Sequence, residues 1–69
     1  MSETTRFDYR KIPNEEHTAY TIEILNEDRE VILTVNEVRA IHVQAVLKDD
    51  IAFKLIDMGY PNPEFSESL

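Results

Sequence analysis

The chain has no cysteine, no tryptophan and a single glycine among its 69 residues. Without cysteine there are no disulfide staples and no thiolate metal sites, two of the usual supports of a very small domain. With Gly59 as the only glycine, a glycine-rich phosphate loop and a Gly-x-Ser-x-Gly nucleophile elbow are both excluded. No apolar run approaches the roughly 18 residues of a membrane span, and the opening Met-Ser-Glu-Thr-Thr-Arg lacks the basic-then-apolar plan of a secretory leader. A cytoplasmic protein without membrane attachment is therefore expected. Basic residues are scarce too: seven Lys and Arg face fourteen Asp and Glu, for a net charge of −7. Nucleic acid is held by clustered cations that release counterions from phosphate, so direct nucleic-acid binding is not expected.

The negative charge is unevenly placed. It runs +1 over residues 1–11, −6 over 12–37, zero over 38–60 and −2 over 61–69. At 42% hydrophobic and 30% charged the chain is globular in composition, but a chain this short buries only a modest core. Self-association is then the leading remaining support.

Local patterns predict an α+β fold, with a flexible N-terminus (1–5), one small domain (6–60) and an extended or disordered tail (61–69). Alternation around Phe7 and Tyr9 gives a weak strand over about 6–12, ended by Pro13. Tyr20, Ile22 and Ile24 alternate with polar residues over 18–25, and apolar character resumes over 30–33 after Asn26-Glu27-Asp28-Arg29. Together these segments make an antiparallel hairpin or a three-stranded sheet. A helical region follows, expected over 35–58. Thr34 and Glu37 have capping-box spacing, Leu33 and Val38 have staple spacing, and Gly59 with Pro61 and Pro63 marks the end. Asp49 would be buried in an unbroken helix, and Asp49 can cap a second one, so a kink or break near Asp49 is expected.

On a helical wheel this region shows two apolar directions. Val35, Val38, Ile41, Ala45, Val46, Ala52, Phe53 and Ile56, with His42 among them, form the broader side, assigned to covering the sheet. Ala40, Val43, Leu47, Ile51, Leu55 and Met58 form the second, assigned to self-association as a homo-oligomer, a dimer being favoured.

Chemistry is sparse. His17 and His42 have no metal-ligand spacing, and neither a cofactor, a metal nor a catalytic residue is expected. Glu23, Glu27, Asp28 and Glu30 form an acidic surface that reads either as a solvated charge run or as a recognition face. The leading expectation is a non-enzymatic, self-associating interaction module. The alternative is a small acidic inhibitor of the phage type, with a basic groove of a nucleic-acid-handling protein as its partner.

Overall fold

The computed structural model describes residues 3–68, so residues 1–2 of the expected flexible N-terminus and Leu69 of the tail lie outside the described residues. The fold is α+β: β1 (Thr5–Pro13), β2 (Tyr20–Leu25), β3 (Val31–Val38), a helix α1 over residues 40–57, and β4 (Pro63–Glu67). The strands form one sheet in the order β3-β2-β1-β4. β1 pairs antiparallel with β2, and β2 pairs antiparallel with β3. α1 carries the chain from β3, at one edge, to β4, which lies parallel to β1 at the other edge.

The sheet has one apolar and one polar face. Phe7 and Tyr9 of β1, Ile22 and Ile24 of β2, and Val38 of β3 are buried together against Val43, Leu47, Ile51 and Leu55 of α1. Tyr20, Leu33, Val35 and Phe65 pack around the same cluster. The opposite face carries Arg10 directly across from Glu23, joined at 2.5 Å, and Thr21 bonded to Asn36 at 3.2 Å. This is the alternation of a sheet covered on one side only.

One expectation of the fold requires correction, the start of the helix. The helix begins at Ala40, after the extended residue Arg39, and not at Val35, because residues 35–38 continue β3. β-branched Val31, Ile32, Thr34, Val35 and Val38 favour the extended chain, and pairing sets Val35 against Ile22 and Val38 against Tyr20. That burial outweighs the Thr34 capping box, and Thr34 is an exposed strand residue.

The tail, expected to be extended or disordered, is extended over Pro63–Glu67 and adds a fourth strand to the sheet. Proline at the first position of an edge strand removes no ladder bond that matters, and Phe65 lies beside Phe7, their ring centroids 6.2 Å apart. Near Asp49, where a kink or break is expected, the helix is irregular and continuous. Residues 46–51 stay helical but form a π turn, between an α-helical turn at Val43–Ala45 and Ala52–Asp57.

The π turn explains the burial pattern. Val43, Leu47, Ile51 and Leu55 are spaced four residues apart, and all four are buried. In a helix of ~3.6 residues per turn each such step advances about 40°, so Leu55 would end about 120° away from Val43. A π turn takes up one extra residue and cancels about 100° of that drift, which returns Leu55 to the face of Val43. At the helix end Gly59 adopts φ 102°. Its amide donates to the Ile56 carbonyl at 3.0 Å, and the Tyr60 amide donates to Leu55 at 3.0 Å. This is a Schellman cap, which turns Tyr60 edge-on to Phe7, with centroids 5.2 Å apart.

Candidate interaction surfaces

The helix presents its two apolar directions in the reverse of the expected assignment. Of the six residues assigned to self-association, Val43, Leu47, Ile51 and Leu55 form the floor of the chain's own core. They are not available to a partner. Ala40 and Met58, at the two ends of α1, are exposed. Of the side assigned to the sheet, Val46 and Ala52 are half-buried, while His42 and Ala45 are exposed. Ile41 is 81% exposed, Phe53 65%, Ile56 50% and Met58 52%. A wheel with one fixed angle cannot anticipate this, because the π turn shifts the second half of the helix against the first.

Four large apolar side chains thus stand in water along α1, Ile41 in its first turn and Phe53, Ile56 and Met58 at its C-terminal end. Phe53 and Ile56, three residues apart, are neighbours on the helix surface. The segment that carries them is the neutral part of an otherwise acidic chain.

The acidic residues divide into two places. Glu27, Asp28 and Glu30 project from the β2–β3 turn, all exposed. Asn26 holds that turn: its side-chain oxygen accepts from the amides of Asp28 at 3.0 Å and Glu30 at 2.9 Å. Arg29, at φ 65°, reaches back to Asp8 at 2.6 Å and Ser68 at 3.1 Å. Glu23 is elsewhere, half-buried on the polar face of the sheet and paired with Arg10. Only three of the four carboxylates therefore share a surface.

A third feature lies between α1 and β4. Buried Tyr9 and Leu47 with half-buried Phe65 floor a shallow groove of 410 Å³, rimmed by exposed Gln44, Lys48 and Glu64. Nearby, Lys11 bonds Glu67 at 3.1 Å, and that hydrogen bond with its charge holds the Lys11 ammonium above its ordinary pKa of 10.5.

His17 and His42 are both exposed, one in the β1–β2 turn and one in the first turn of α1. Among the described residues no group of three or more His, Cys, Asp or Glu is placed to hold a metal ion. Among the described residues no helix is long and apolar enough to cross a membrane. No protein-family model matches the chain, and neither a curated protein nor a solved structure is found to be similar to it.

Proposed function

We propose that this chain is a non-enzymatic interaction module of the cytoplasm that self-associates through its helical region. The contact surface in this reading is the outer side of α1 with Ile41, Phe53, Ile56 and Met58. It replaces the inward residues that the sequence pattern suggested.

The observation that carries it is the exposure of these four side chains in a domain whose core is already complete without them. Exposed apolar side chains grouped on a small soluble domain, as Phe53, Ile56 and Met58 are at the end of α1, mark a contact site more often than isolated ones do. A second copy is the occupant because the helical segment is neutral, whereas most of the remaining surface is negative and would repel its own kind.

Sedimentation equilibrium of the wild type with Phe53→Asp and Ile56→Asp tests this. Both residues are exposed, so the variants should keep their circular dichroism while the associated species loses mass. An unchanged mass removes the helix face from consideration.

The second reading, an acidic inhibitor that docks in a basic groove, is favoured by one observation. Asn26 and Arg29 fix Glu27, Asp28 and Glu30 on a structured turn. Preset geometry lowers the ordering cost of binding. Loss of a captured partner on charge reversal at Glu27, Asp28 and Glu30, with salt sensitivity of the wild-type complex, would support it.

A further inference from the structure

The two edges of the sheet are built differently. β4 is short, starts with Pro63 and carries Glu64 and Glu67, which are means by which natural sheets deter added strands. β3 reads Val31-Ile32-Leu33-Thr34-Val35-Asn36-Glu37-Val38, with no proline, no lysine and one charge. Ile32, Leu33 and Val35 are only half-buried there, and Val31 is 43% exposed. Its pairing with β2 is regular from Leu33 to Val35, with register shifts on either side. A strand of this composition with one unpaired row of amides and carbonyls is a template for another strand.

We infer that β3 is a second homotypic contact: it pairs antiparallel with the β3 of another copy, about a two-fold axis at Thr34, joining two four-stranded sheets into one of eight. The symmetry and the sequence together select this register. A two-fold axis perpendicular to the sheet keeps both helices on one face, and the residue on the axis then faces its own copy.

Centred on Thr34, the pairing sets threonine opposite threonine on the exposed face, a favourable cross-strand pair. On the helix side it sets Leu33 opposite the Val35 of the second copy, which covers the half-buried aliphatic residues of both edges. The pairing rests on Leu33–Val35, where β3 is regular; Glu37, at φ 57°, lies beyond it. Centring on Val35 would set Leu33 opposite Glu37, outside the regular part of the strand, and would lose the Leu33–Val35 pair. A second copy suits this edge better than a charged partner because the strand offers almost no charge for a partner to match.

This contact lies on a different surface from the outer side of α1, and each can fail alone. The chain has no cysteine, so Thr34→Cys introduces a single thiol, and Cα atoms directly opposite in an antiparallel pair, ~4.5–5.5 Å apart, fall within the span of a disulfide. Thr34→Cys should oxidise to a covalent dimer at least tenfold faster than Glu64→Cys on the other edge, and should do so in the Phe53→Asp background as well. Thr34→Lys, which places two cations at the axis, should lower the associated mass while retaining wild-type circular dichroism and unfolding.

Equal oxidation rates for the two cysteine variants would overturn the β3 contact. If Phe53→Asp still lowered the mass in that case, the helix-face reading would stand without it. A wild type that is monomeric at millimolar concentration, with no preferential crosslink, would overturn both.

Discussion

Asn26 and Ile51 show how differently single residues support this molecule. Asn26 is polar and lies at the surface, yet its one side-chain oxygen accepts two backbone amides of the β2–β3 turn. Asn26→Ala leaves those amides to water and should lower stability by about 1–2 kcal/mol, read from urea unfolding. Ile51 is fully buried on the inward line of α1, and truncation there combines lost transfer energy with a cavity. Ile51→Ala should cost about 2–5 kcal/mol, which for a domain this small removes most or all of its stability. Phe53→Ala, two residues away, should change the stability of the dissociated chain by less than about 0.5 kcal/mol, because its ring already stands in water. Comparing the two by thermal unfolding at low protein concentration separates core from outer face directly.

At the scale of elements, the π turn is the most consequential detail. With Asp49 deleted, the four buried positions become spaced by four, three and four, which is the ordinary pattern of an α-helix with one apolar face. The deletion should therefore yield a cooperatively folding protein, with a loss of stability below that of Ile51→Ala. Were residues 46–51 plain α-helix, the same deletion would turn Leu55 about 100° out of the core and unfold the chain. Melting curves of the deletion variant decide between the two.

The strict spacing of four from Val43 to Leu55 was visible in the sequence, and its meaning was not. A period of four fits neither a strand nor an α-helix, so a fixed-angle wheel spread the four residues over an arc and assigned them to the wrong side. β2 and the order of sheet before helix were legible, since Tyr20, Ile22 and Ile24 alternate cleanly and Gly59 marks the stop. β4 was hidden by Pro61 and Pro63, which read as loop. Only its partner β1, almost the whole chain away in sequence, makes Phe65 a strand residue. The helix start at Thr34 was a local signal defeated by a tertiary one, the pairing of Val35 and Val38 with β2.

For the whole molecule, charge and association pull against each other. A net charge of −7 on each copy opposes assembly at long range, while the proposed contacts on α1 and β3 are nearly neutral. Added salt should therefore tighten self-association, by several-fold between about 0.05 and 0.5 M, as the Debye length falls. Binding of the acidic turn to a basic partner should weaken over the same range, so a salt series by light scattering discriminates the two proposed readings. The connection of the sheet has a kinetic side as well. β1 is paired with β2 by a short turn, but its other neighbour, β4, arrives only after β3 and the whole of α1 have been laid down in sequence. Closing that loop, from Thr5 to Pro63, is the longest-range step of folding and entropically the slowest to be repaid. Until it closes, β1 is bare on one side while β3 is bare on the other. A refolding chain is then a three-stranded sheet open at both ends, so the concentration at which it folds governs how much of it reaches the native state.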